Sequence, residues 1–119
     1  MKERFNPKQF IRRNGVFMKR QNGRYGEFTI SQELDHRMDR PEYVTLYMQD
    51  DLLHVEKTRK DDPCAMIVFR YGSERKHGSV GHSSRLRNAA LGQWLDDNKI
   101  GYDRIPMIER RPGVWAEDR

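Results

Sequence analysis

The stretch from Phe28 to Met48 constrains the fold more than any other part of the chain, because it carries signals for a strand, a helix and a second strand in succession. Phe28 and Ile30 alternate with Thr29, as expected for a strand with one buried face. Ser31 then predicts a helix N-cap, since its hydroxyl can accept a hydrogen bond from a backbone N–H of the first turn.

The predicted helix is short. Leu34 and Met38 lie four residues apart and form one narrow apolar stripe. Pro41 disfavours a helical conformation at Arg40 and therefore stops the helix. Residues 43–48 then alternate apolar and polar side chains, which predicts a half-buried strand.

Turn signals divide much of the remaining chain into short strands. Asn22-Gly23 predicts a tight hairpin turn, and Asp50-Asp51 and Arg111-Pro112-Gly113 predict two more. Pro106 is expected to confine its strand to a sheet edge, because proline lacks the N–H that a central strand needs. The strands expected around these turns, besides 43–48, are 15–20, 24–30, 53–56, a central strand at 65–71 and a last hairpin within 104–116.

A second helix is predicted to begin after Ser83 or Ser84 and to end near Asn98 and Gly101, about two turns longer than the first. Its apolar face is expected to hold Leu86, Ala89, Ala90, Trp94 and Leu95. The order of elements around Ser83 repeats the order around Ser31. The matched positions are Phe28, Ser31, Leu34 and Met38 with Val80, Ser83, Leu86 and Ala90.

These elements predict a compact β-rich α+β domain at 15–119, with about six or seven short strands and two helices. A basic arm at 1–14 precedes it. The repeated order raises the hypothesis of tandem halves, 15–63 and 64–119, that share one core around a pseudo-two-fold axis.

Charge is unevenly distributed along the chain, whose net charge is +5. Residues 1–30 hold eight Lys and Arg against two Glu, and residues 63–87 hold five against one. Such basic blocks suit nucleic acid or an acidic protein. The single cysteine allows no disulfide within one chain, and no apolar run approaches the roughly 18 residues of a membrane span. A cytoplasmic location is expected.

The segment from Phe28 to Lys57 resembles the AbrB/MazE-type swapped-hairpin family. Ile30-Ser31-Gln32-Glu33-Leu34 stands where that family has Ile-Pro-Lys-Glu-Leu, and Pro41-Glu42-Tyr43-Val44 stands in its Gly-Asp-x-Val turn. Ser31 replaces the usual proline, and the Gly-Asp pair of the family is absent. The resemblance implies a β-barrel-like core made of two such units, one per chain in a dimer or both within this chain, with DNA as the usual ligand.

Basic and aromatic side chains form the candidate binding site. Lysine and arginine neutralise phosphates, and tyrosine can stack on bases. The candidate residues are Arg12, Arg13, Lys19, Arg20, Arg24, Tyr25, Arg75, Lys76, Arg85 and Arg87. We expect a small DNA-binding protein, either a transcriptional regulator or an accessory factor of a phage or mobile element, without a catalytic residue, metal or cofactor.

Two other hypotheses stay open at this point. The same cations could dock on an acidic protein partner, which would make the chain an inhibitor or adaptor. Alternatively, His77 or His82 with the arginines at 85 and 87 could serve a small metal-independent phosphodiesterase. Cys64 is interpreted as a buried or half-buried structural thiol, and Asp61-Asp62 as loop charges.

Overall fold

The computed structural model describes residues 15–21, 26–70 and 84–119. These residues form eight strands and two short helices. In chain order they are β1 (Phe17–Arg20), β2 (Gly26–Ile30), α1 (Gln32–Arg37), β3 (Tyr43–Gln49), β4 (Leu52–Thr58), β5 (Met66–Arg70), β6 (Ser84–Asn88), α2 (Leu91–Asp97), β7 (Ile105–Arg111) and β8 (Val114–Glu117).

The strands close into a barrel in the order β1-β2-β6-β5-β3-β4-β8-β7, and β7 pairs back onto β1. Every pair of neighbours is antiparallel. Closure leaves no open sheet edge among these strands. The β-rich prediction is confirmed, but the described residues alone form eight strands and not six or seven.

The extra strand is β6, where the sequence predicted the start of the second helix. Ser84 and Leu86 are buried while Arg85 and Arg87 are exposed, so burial alternates with a period of two. The expected helical face was wrong because Leu86 belongs to this strand, and α2 begins only at Leu91. The second helix has seven residues against six in α1, so it is not two turns longer.

The first helix follows its sequence signals. The Ser31 hydroxyl accepts a hydrogen bond from the N–H of Leu34 at 3.2 Å, as an N-cap should. It also accepts one from the N–H of Phe17 at 3.0 Å, which ties the helix start to β1. Asp39 and Arg40 then adopt positive φ angles, and buried Pro41 follows.

The predicted turns at Asp50-Asp51 and before Gly113 are both present. Asp50 and Asp51 have φ of 54° and 60°, the left-handed pair that a two-residue hairpin needs. The expectation for Pro106 was wrong, because β7 pairs with β8 on one side and with β1 on the other. Proline has no N–H to donate, but β8 loses no hydrogen bond. The residue opposite Pro106 is Asp118, which lies one position beyond the end of β8.

The inward side chains of all eight strands and both helices fill one core. Phe28, Met18 and Ile30 are fully buried at the β1–β2 side, and Trp115 lies opposite Val55 at the other. The remaining large members of this core are Leu34, Met38, Val44, Leu53, Val68, Leu86, Leu91, Leu95, Ile100 and Met107. Barrel and helices therefore form a single packing unit.

Strand pairing has the same pattern in both parts of the chain. Each part has the order strand, strand, helix, strand, strand. If each of β1 to β4 trades places with its counterpart among β5 to β8, every strand of the barrel keeps the same kind of neighbours. Met18 pairs with Ile30 as Val68 pairs with Leu86. Leu86 thus takes the place of Ile30, so the sequence alignment that matched it with Leu34 was wrong in register.

Candidate nucleic-acid interface

Four of the ten candidate residues lie in the part of the chain that the structure describes. They are Lys19, Arg20, Arg85 and Arg87. The other six, Arg12, Arg13, Arg24, Tyr25, Arg75 and Lys76, fall outside the described residues. The interface is therefore built below from the strands that carry the first four.

Arg20 points into the molecule and binds α2 and the residues that follow it, an arrangement that we call an arginine brace. Its guanidinium contacts the Asp96 carboxylate at 2.7 Å and donates hydrogen bonds to the carbonyls of Ile100 at 3.0 Å and Gly92 at 3.3 Å. The ring of Tyr102 lies 4.7 Å from it. Because Arg20 is buried and these partners surround it, it is not part of an external binding surface.

Lys19, Arg85 and Arg87 share the outer face of the barrel. Their neighbours Met18, Ser84 and Leu86 are buried, and successive side chains of a strand point to opposite faces. In register, Lys19 pairs with Thr29, and Thr29 pairs with Arg85. Two strand spacings, about 10 Å, therefore separate the backbones of Lys19 and Arg85.

One further cation adjoins this face. The Arg104 guanidinium lies 4.4 Å from the ring of Phe17, an outward residue of β1. Arg85 donates a hydrogen bond at 2.6 Å to the carboxylate of Glu27 on β2. We call Lys19, Arg85, Arg87 and Arg104, together with Glu27, the basic face. Among the described residues this face holds four cations and one carboxylate.

Apolar side chains border the basic face on the β5 side. Phe69 pairs directly with Arg85, and Ile67 lies two residues earlier on the same strand. Ile67 in turn pairs with Tyr43 of β3. Ile67 is 48% exposed, the largest value among the exposed large hydrophobic residues described. Cationic and apolar side chains thus occupy neighbouring strands.

A second arginine brace mirrors that of Arg20. Arg70 ends β5 as Arg20 ends β1, and it holds the buried Asp35 of α1 with two hydrogen bonds at 3.0 and 2.6 Å. It also donates to the carbonyl of Pro41 at 2.7 Å, and Ser84 donates to Asp35 at 2.8 Å. Each half thus fastens the helix of the other.

Sequence reasoning missed both braces. An arginine at the end of a strand resembles any surface arginine, and Asp35 resembles an ordinary acidic residue in the first turn of a helix. The one available signal was the shared position of Arg20 and Arg70, each at the end of an apolar run. That signal becomes informative only once the two strands are known to be equivalent.

Two of the four histidines lie among the described residues. His36 is exposed, and His54 is buried with its Nδ1 2.9 Å from the carbonyl of Leu52. The Asp62 carboxylate accepts hydrogen bonds from the Thr58 hydroxyl and the Cys64 N–H, which lower its pKa. Cys64 itself is exposed, so its interpretation as a buried or half-buried thiol was wrong. His77 and His82 lie outside the described residues.

Tyr47, on the outer face of β3, gives a pH-dependent prediction. Partial burial, a hydrogen bond to Glu56 at 3.1 Å and the charge of that carboxylate raise the pKa of Tyr47, while Arg111 acts in the opposite direction. The folded state therefore holds this proton more tightly than the unfolded state. Its contribution to stability is complete below about pH 10 and is lost as the pH rises through the folded pKa.

Urea unfolding across the alkaline range should therefore show a decline in the free energy of unfolding that is shallower in Tyr47→Phe than in the parent protein. Glu56→Gln should also make the decline shallower, since it removes the carboxylate charge that raises the pKa of Tyr47. An identical decline in the parent and Tyr47→Phe would contradict this assignment.

Comparison with protein-family models, curated proteins and solved structures found no match. Neither of the described helices is long and apolar enough to cross a membrane. In the described ranges no three His, Cys, Asp or Glu side chains cluster in a way that could hold a metal ion. The resemblance to the AbrB/MazE-type family therefore stays a prediction.

Proposed function

We propose that this protein binds nucleic acid through the basic face, with Lys19, Arg85 and Arg87 contacting phosphates. The observation that carries the proposal is the register of β1, β2 and β6, which brings these three cations onto one outer surface. Arginine and lysine bound to phosphates release condensed counterions, which supplies most of the sequence-independent affinity.

We further propose that the chain is a pseudo-two-fold swapped-hairpin barrel, with both units of the resembled family within one polypeptide. The shared pairing pattern of the halves and their reciprocal arginine braces support this idea. On that basis DNA is the favoured nucleic acid, and the biological role is that of a transcriptional regulator or of an accessory factor of a phage or mobile element.

The test is fluorescence anisotropy with labelled DNA over a salt series. The logarithm of the association constant should fall linearly with the logarithm of the salt concentration. Arg85→Ala/Arg87→Ala should weaken binding to every sequence alike and reduce the slope by about 2, one for each phosphate contact removed.

The matched control is Arg59→Ala/Lys60→Ala, which removes the same two charges from the exposed connection after β4. It should change the slope by much less than the Arg85/Arg87 pair. Equal effects of the two double variants would show that net charge and not the basic face controls binding. If no nucleic acid binds even at low salt, the acidic protein partner becomes the leading hypothesis.

A further inference from the structure

The apolar border of the basic face is not explained by phosphate contact. Ile67 is about half exposed, and Phe69 and Tyr43 are partly exposed beside it. Phosphates are strongly hydrated and cannot cover apolar carbon, so contact with them gains nothing from these three residues. The faces of nucleic-acid bases can cover it, and each base stacked on an aromatic side chain adds affinity whatever its identity.

Bases reach such a surface only when they are not paired inside a duplex. The outer surface of a closed barrel is convex, so its side chains do not enter a groove as a helix or a projecting ribbon does. An unpaired strand can instead turn its bases toward the protein while its phosphates stay beside the arginines. The neighbouring positions of Arg85 and Phe69 suit this arrangement, because adjacent strands lie only about 4.8 Å apart.

The charge pattern also differs from that expected for two equivalent strands. Thr29 and Arg85 pair with each other and occupy equivalent positions in the two halves. Lys19 in β1 corresponds to Phe69 in β5. The strand pairing thus has two-fold symmetry, whereas the distribution of cationic and apolar side chains does not follow that symmetry. A duplex offers two strands related by a dyad, but a single strand needs only one row of cations and one apolar row.

We propose that the ligand of the basic face is single-stranded nucleic acid, with its backbone along Arg85 and Arg87 and its bases against Phe69, Ile67 and Tyr43. This inference rests on the proposed function, since it assigns the ligand class of the same face. Binding of a strand of this kind is tolerant of sequence and strongly dependent on salt.

The experiment compares three probes of equal length by anisotropy: a thymine homopolymer, an abasic strand that keeps only the sugar-phosphate backbone, and a duplex. The parent protein should bind the homopolymer about tenfold more tightly than the abasic strand, and the duplex more weakly than the homopolymer. Phe69→Leu keeps an apolar side chain but removes the ring. It should weaken homopolymer binding about fivefold to tenfold and leave abasic binding unchanged.

A gain-of-affinity variant guards against a folding defect at Phe69. Ile67→Tyr adds a ring at an exposed position and should strengthen homopolymer binding severalfold. The control is Ile108→Tyr, a similarly exposed isoleucine on β7, which should have no effect.

The possible results distinguish this inference from the proposed function on which it rests. Equal binding of all three probes, with no effect of Phe69→Leu or Ile67→Tyr, would overturn the single-strand assignment and leave the phosphate contacts standing. Tightest binding to the duplex would also overturn it. Failure of all three probes to bind at low salt would remove both the assignment and the proposed function.

Discussion

Asp35→Ala is expected to lower the free energy of unfolding by about 3–5 kcal/mol, because it removes one partner of a buried ion pair. The Asp35 side chain is 8% exposed and that of Arg70 is 17% exposed, so water cannot replace the lost carboxylate. Ser84 also loses its acceptor. Urea unfolding followed by circular dichroism measures the change.

Two controls separate burial from charge in this experiment. Asp39 is 96% exposed and lies 3.8 Å from Lys57, so Asp39→Asn, which removes the charge and keeps a side chain that tolerates the positive φ, should change stability by no more than about 0.5 kcal/mol. Asp35→Leu combined with Arg70→Met removes both charges and should recover much of the loss. A loss in Asp35→Ala no larger than that in Asp39→Asn would refute the proposed role of the Asp35–Arg70 pair.

Gly26→Ala is the second substitution with a large expected effect. A Cβ at position 26 would collide with the backbone N of Gly92, and it would lie 2.8 Å from both the carbonyl carbon and the Cβ of Leu91. The obstruction is backbone, so α2 must move away from β2. We expect a loss of about 3 kcal/mol or more in the free energy of unfolding, at the upper end of the cost of overpacking.

Gly101→Ala provides the comparison, since a Cβ at that position meets nothing within 4 Å. It should be neutral or slightly stabilising, because alanine restricts the unfolded chain more than glycine does. Thermal unfolding of the two variants side by side tests the contact directly. A similar melting temperature for both would mean that β2 and α2 can separate at this point without cost.

Local chemistry made α1 and the hairpin turns predictable from sequence. Ser31 needs only a backbone N–H three residues away, and Asp50-Asp51 needs only its own φ angles. These signals act over a few residues and do not depend on the rest of the barrel. They therefore identified the elements of the first half almost completely.

β6 was missed because its signal is short and lies next to a competing one. Four residues that alternate in burial precede a run with helical spacing, and Leu86 fits either pattern. What decides between them is the pairing of Leu86 with Phe28 and Val68, residues distant in the chain. A window along the sequence contains neither partner.

The candidate interface was predictable only in part, because strand pairing between distant segments decides which cations share a surface. Composition singled out Lys19, Arg20, Arg85 and Arg87 as one group of cations. Only strand register separates Arg20, which is buried against Asp96, from the three that face outward. The apolar border at Ile67 was not predicted from sequence, because the segment 65–71 was expected only to be a central strand.

The reciprocal arginine braces, together with the pairing of β1 with β7, bear on how the chain folds during synthesis. Arg20 emerges from the ribosome long before its partners in α2, and β1 long before β7. Met18 pairs with Ile105 of β7, so the first half cannot bury it fully until the last hairpin is made. Folding must therefore wait for nearly the whole chain, and the high proportion of distant contacts makes it slower than that of a helical protein of equal length. During that interval the nascent first half exposes apolar strands, and it is then that the chain is most vulnerable to aggregation.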